Sequence, residues 1–285
     1  MVMENNMRIK KIKTVYYYCS VETLLNILRN NQIYASDPLK MNDRDELLWF
    51  TKTFSDIKGN DELANSIGYN VSIDKIAEQL KNEGQDNLFV TCFSELDDDL
   101  SQWRGYGDDG QGVAIGFDIN SFVDSYNFAY KYEVIYGTPT PQENSEYFSD
   151  FIGICDAEHD NIDKNNLQSA FFNLMILYMA RYKNQTFKAE KEVRLMFEKQ
   201  EWDYKLLLDC PRKWAISKPN FETEFRLTNN NRDIIEYAKI NIPHEAIHRI
   251  RIGPKCLLHK NDIEQLVNKY LKYKVKIVES DLSYK

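Results

Sequence analysis

The run Glu190-Lys191-Glu192-Val193-Arg194 has the residue types and spacing best suited to chemistry in this sequence. As a strand, it puts Glu190, Glu192 and Arg194 on one face, because strand side chains repeat every two residues. Two carboxylates beside a guanidinium can orient a hydroxyl, take a proton or hold an anion. A solvated strand face with cross-strand ion pairs uses the same residue types. Two other stretches carry matching polar and aromatic groups. One is Tyr16-Tyr17-Tyr18-Cys19-Ser20, with Tyr34-Ala35-Ser36-Asp37-Pro38 and Asn42-Asp43 after it. The other is Cys92-Phe93-Ser94, then Trp103-Arg104-Gly105-Tyr106, then Gly112 to Asp118. Tyrosine hydroxyls can bind sugar oxygens and Trp103 or Tyr106 can stack on a planar ring; as core anchors the same aromatics simply bury area.

Two literal motif matches do not survive their context. Gly105-Tyr106-Gly107-Asp108-Asp109-Gly110 spells G-x-G-x-x-G. A dinucleotide loop of that kind must follow a strand and open a helix. Here a helical turn comes before it and a strand after it, and two aspartates would face the phosphates. His244-Glu245-Ala246-Ile247-His248 spells H-E-x-x-H, which in zinc peptidases spans one turn of a long helix. Pro243 just before it and a strand starting at Arg249 leave room for little more than one turn. A zinc peptidase built on His244, Glu245 and His248 is kept as a third reading.

The elements that must position these groups are short. Val15 to Ser20 reads as a strand, and Ser20 N-caps a helix running to about Asn30, with Glu22 in its first turn. Ile33 to Ser36 is a second strand, stopped by Asp37-Pro38. Helical stretches follow after Asn42 and at 73–81. Strands are expected at Leu88 to Phe93, Gly112 to Phe117, Tyr130 to Tyr136 and Val193 to Phe197, with a helical turn at Leu100 to Trp103. The longest helix is expected over Asn165 to Lys183, and an exposed insertion at 137–146. A hairpin around Asn229-Asn230-Asn231, a strand Arg249 to Ile252, a helix Asn261 to Lys272 and a strand Val275 to Val278 complete the chain. Short strands and irregularly spaced helices predict an α+β fold of mixed, mainly antiparallel sheets with peripheral helices. One domain is expected over 1–285, its core at about 14–256, with the helix and strand of 257–285 packed on it.

Bulk composition narrows the class. The 285 residues are 43% hydrophobic, enough for a sizeable core. No apolar run is long enough for a membrane helix. Met1 to Lys13 lacks the apolar stretch of a signal peptide, which points to the cytoplasm. Five scattered cysteines without C-x-x-C argue for reduced thiols rather than a disulfide frame. Net charge is −8, unevenly spread: Glu95 to Asp160 has fifteen acids against two bases, while Glu245 to Lys276 has eight bases against three acids. The acidic part repels a phosphate backbone, and only the C-terminal part offers a basic face.

In order, these motifs resemble a bacterial domain-of-unknown-function family, number 2971. That family has a tyrosine-rich start, Ser-x-Pro, Asn-Asp, Cys-Phe-Ser, Trp-x-x-Tyr, Gly-x-x-x-Gly-Phe-Asp, Glu-x-Glu-x-Arg and a closing Gly-Pro, here Gly253-Pro254. The resemblance covers about residues 15 to 255. A looser one links the opening strand-helix-strand and the late E-x-E to ADP-ribosyltransferases. That resemblance implies an ADP-ribosyltransferase-like core with NAD as substrate, Glu192 as catalytic acid and Glu190 as the upstream acid. It assigns Tyr17, Ser20, Ser36, Asn42, Trp103, Tyr106 and Arg194 to NAD binding, with Tyr17 standing where a histidine is usual. It further implies a macromolecular acceptor, protein or nucleic acid, a toxin or defence role, and a cognate inhibitor protein. A non-catalytic module that senses a nucleotide or a partner is the competing class.

Overall fold

In the computed structural model, residues 14–41, 87–126, 129–140, 164–199, 221–227 and 234–284 are described, with a few isolated positions between them. Strand β1 (Thr14–Cys19) runs into helix α1 (Val21–Asn30) and strand β2 (Gln32–Ser36). The Ser20 hydroxyl accepts from the Thr23 N–H and caps α1, while Asn31 ends it in the left-handed conformation that asparagine tolerates. Next come β3 (Leu88–Ser94), α2 (Leu100–Gly105), β4 (Val113–Asp118), α3 (Ile119–Ser125), β5 (Ala129–Glu133) and β6 (Ile135–Tyr136). The second half holds α4 (Lys164–Met179), β7 (Tyr182–Lys183), β8 (Glu192–Glu198), β9 (Glu222–Leu227), β10 (Ile234–Asn241), β11 (Ile247–Ile252), α5 (Lys260–Tyr270) and β12 (Lys276–Glu279).

Ten of these strands form one sheet in the order β12-β11-β4-β1-β3-β2-β10-β9, with β8 joined to β3 and β5 joined to β8. Its pairings are antiparallel except β11 with β12, so the molecule is a mixed α+β fold on a mainly antiparallel sheet. One edge of β3 pairs with β8 along its whole length, from Leu88–Glu198 to Ser94–Glu192. The other edge meets β1 only at Tyr16–Ser94 and β2 only at Ser36–Val90. Between those two points β1 and β2 diverge, joined by α1. That opening is where a cleft forms.

Side-chain alternation splits the core. Phe89 and Phe93 of β3, with Val193, Leu195 and Phe197 of β8, face a cluster that includes Leu24, Ile27 and Leu28 of α1 and Ile263 and Val267 of α5. The C-terminal helix and strand are thus packed on the same sheet. On the other face Leu88, Val90 and Met196 meet Phe171, Met175, Tyr178 and Met179 of α4. No described helix is long and apolar enough to cross a membrane.

Several expectations change. The helix expected through Lys183 ends at Met179, because the backbone beyond it pairs with β6: Ile135 N–H donates to Arg181 O, and Gly137 N–H to Lys183 O. The same pairing splits the strand expected over Tyr130 to Tyr136, as Ile135–Tyr136 leaves β8 for β7. The H-E-x-x-H segment forms no helix. Glu245 has φ 60°, His248 lies on β11 with its Nε2 3.0 Å from Thr14 Oγ1, and the His244 ring packs 5.5 Å from Tyr273. Two histidines need one helical turn between them to share a zinc in that motif, and this backbone removes it. The glycine-rich loop lies between α2 and β4, and close packing explains two of its glycines: a Cβ on Gly107 would lie 2.6 Å from the Trp103 ring. A Cβ on Gly112 would lie 2.0 Å from Cys19 O. The helical stretches expected after Asn42 and at 73–81 fall largely outside the described residues, whereas most described positions of the insertion expected at 137–146 are exposed.

Candidate functional site

A cleft of about 720 Å³ lies where β1 and β2 part from β3. Its lining includes Tyr17, Ser20, Ser36, Tyr106, Glu190 and Glu192, six of the nine residues singled out in the sequence. Ser20 sits there as the cap of α1, and Ser36 as the last residue of β2. The rings of Tyr34 and Tyr237, 6.1 Å apart and edge to face, form another part of the wall. Burial pushes the Tyr17 phenol well up, so it is a neutral hydroxyl packed edge-on against Phe93.

The two acids arrive by a route other than a shared strand face. Glu190 ends a 3-10 turn, Lys191 is left-handed with φ 47°, and only Glu192 begins β8. The kink at Lys191 turns both carboxylates toward one ammonium: Lys183 Nζ lies 2.7 Å from Glu190 Oε2 and 2.8 Å from Glu192 Oε2. Hydrogen bonds pin this backbone. Glu192 N–H donates to the Tyr136 hydroxyl at 2.8 Å, Glu95 N–H to Lys191 O at 2.9 Å, and the Ser94 hydroxyl to Glu190 O at 2.8 Å.

Every remaining oxygen of the pair has a donor. Arg194 Nε donates to Glu192 Oε1 at 2.8 Å, and the Tyr106 hydroxyl donates to Glu190 Oε1 at 3.2 Å. Glu192 is 6% exposed and Glu190 20%. Burial works against the Lys183 charge, but Glu192 and Glu190 outweigh it and hold the ammonium above its ordinary range. Burial, then the nearby Glu190 charge, pushes the Tyr106 phenol up to about 12. The Cys92 thiol is also pushed well up, first by burial and then by Glu192, so it is an inert thiol in the wall.

Two residues of the sequence-based set, Trp103 and Arg194, are not among the lining residues. Trp103 is fully buried under the cleft: its Nε1 donates to Asp98 Oδ1 at 2.8 Å and its ring meets Tyr18 at 4.7 Å, so no face is left for stacking on a ligand. Arg194 is 1% exposed, with Nη1 donating to Ala180 O at 2.6 Å; it braces Glu192 and is not placed to grip a phosphate. Asn42 lies outside the described residues. Sequence reasoning missed Lys183, which was hidden at the end of an overlong helix, and Tyr136, whose hydroxyl takes the Glu192 N–H. An apolar helix pattern that loses its period after Met179 was the available signal.

A family model described as a protein of unknown function, DUF2971, matches residues 102–195. The matched stretch carries Tyr106, Lys183, Glu190, Glu192 and Arg194, while β1 and β2 lie before it. No curated protein matches the chain, and no solved structure does.

Proposed function

We propose that the cleft binds NAD and that the protein is an ADP-ribosyltransferase-like enzyme, transferring ADP-ribose to a macromolecule or, with water as acceptor, hydrolysing NAD. The observation that carries this reading is that residues from β1, α1, β2, the loop after α2 and the start of β8 line one cavity with a buried carboxylate in its wall. Its volume falls within the usual range of about 300 to 1,000 Å³ for small-molecule sites. The reading treats β1, β2 and β8 around this opening as the equivalent of an ADP-ribosyltransferase core.

In this mechanism the bond from the ribose carbon to the nicotinamide nitrogen breaks, its electron pair leaves with nicotinamide, and positive charge develops on the ribose. Glu192 accepts a ribose hydroxyl hydrogen bond and opposes that charge from a site largely closed to water. Glu190, the more exposed acid, orients the acceptor and takes its proton. Tyr17, Ser20, Ser36 and Tyr106 offer hydroxyls to the ligand, with Ser36 at the nicotinamide end.

Incubating the full chain with NAD and measuring free nicotinamide tests the proposal. Glu192→Gln is expected to cut release by about a hundredfold or more while the variant still unfolds cooperatively. Wild-type protein that neither binds NAD nor releases nicotinamide would sink the reading. One observation favours a second reading, a binding module: both Glu192 oxygens are held by cations, Lys183 and Arg194. A module of that kind would gain thermal stability with NAD or an adenine nucleotide, by mass action, and yield no nicotinamide.

A further inference from the structure

We propose that Lys183 is the positioning residue of the cleft, holding the Glu190 and Glu192 carboxylates side by side and aimed into the cavity. The proposal rests on the reading of this cleft as an NAD site. Among the described residues that line the cleft, Lys183 is the only cation. Its ammonium is 8% exposed and bonds both carboxylates, and bonds of 2.7 and 2.8 Å cannot leave those two oxygens further apart than their sum. Like charges held that close repel, and the ammonium between them offsets the repulsion.

The other groups facing the pair cannot replace it. Cys92 from β3, Tyr106 beyond α2 and Tyr136 from β6 all carry raised pKa values, with burial as the largest cause, and stay neutral. Arg194 Nε bonds Glu192 Oε1, on the side of that carboxylate away from the oxygen that Lys183 holds. Removing the ammonium therefore strips Glu190 of its cation and leaves Glu192 with one. A single proton then bridges the two acids, and the Glu190 carboxyl donates to the oxygen of Glu192 that a ribose hydroxyl would use. Lys183 acts through the acids it arranges.

The test compares full-length wild type, Lys183→Met and Lys183→Met/Glu190→Gln. Lys183→Met is expected to release nicotinamide about a hundredfold more slowly than wild type near about pH 6, with the deficit narrowing to about tenfold or less near about pH 9 as the shared proton leaves. The loss should fall on kcat more than on KM. Its stability relative to wild type should move the opposite way. A carboxyl whose folded pKa is raised binds a proton that the unfolded chain does not, so the difference in thermal midpoint grows as pH rises through that folded value. In the double variant no second acid shares the proton, and both pH trends should flatten; it also relieves the uncompensated charge, which guards against simple misfolding of the single variant. A Lys183→Met deficit that is the same at every pH, together with a flat stability difference, would overturn the proposal. If wild type releases no nicotinamide, the NAD reading fails, and the stability trend still decides whether Lys183 holds the two carboxylates side by side.

Discussion

Lys183 and Arg194 meet Glu190 and Glu192 at the cleft, whereas Arg249 and Arg251 of β11 meet Asp97 and Asp98 beyond β3. Both clusters join two bases to two acids, with Asp281 as a further acid on Arg251 in the second, and each has a buried arginine at its centre. They differ in what consumes the acids. Asp98 takes hydrogen bonds from Trp103 Nε1 at 2.8 Å, the Ser280 hydroxyl at 2.7 Å, the Asp281 N–H at 2.7 Å and Arg251 Nη1 at 3.2 Å. Arg251 also donates to Glu279 O and Asp281, so the cluster ties the loop after β3 to β11 and to the chain end. Apart from Trp103, the partners of Asp98 belong to distant parts of the backbone. At the cleft the four charged side chains come from one short stretch, 183 to 194, and the assembly opens onto about 720 Å³ of space. One cluster fastens the fold; the other presents charge to a cavity.

The comparison can be broken at several points. Arg251→Met should cost the most stability, about 3 kcal/mol, because it takes the cation from the largely buried Asp98, while Asp97 keeps Arg249. Urea unfolding measures it, and nicotinamide release per folded molecule should be unchanged. Equal losses of rate and stability would erase the distinction between the clusters. Ser20→Ala removes the cap of α1 and should cost about 1 kcal/mol. Because Ser20 also lines the cleft, a rise in KM for NAD beyond that thermal cost would place its hydroxyl on the ligand. The smallest effect is expected at Lys191. Its left-handed φ of 47° is strained for a side-chain-bearing residue, so Lys191→Gly should raise stability by at most about 1 kcal/mol and keep activity. A clear loss of activity there would mean that the lysine side chain, rather than the kink, matters.

Much of the frame was readable locally. The Ser20 cap, the apolar stripe of Leu24, Ile27 and Leu28, and the short apolar runs of β3 and β8 depend on neighbours within a few residues, and these elements appear where expected. The hairpin of β9 and β10 does too, pairing Leu227 with Ile234. Lys183 was not readable, because its strand exists only through pairing with β6, 47 residues earlier by the Ile135–Tyr182 register. Trp103 was misread for a related reason: a Trp-x-x-Tyr spacing cannot say which aromatic goes under the sheet and which, like Tyr106 at 45% exposed, faces the cleft.

By itself the sequence determined which residue types were at hand: an acid pair late in the chain, hydroxyls early, and the short amphipathic elements that carry them. Those features follow from periodicity and capping, which act over a turn or two. Only the tertiary structure decided that Glu190 and Glu192 converge through a left-handed lysine, that Lys183 stands between them, and that β1 and β2 part to make room beside them. Long-range strand pairing and the neutralisation of buried charge set those outcomes, and neither is written in the spacing of nearby residues.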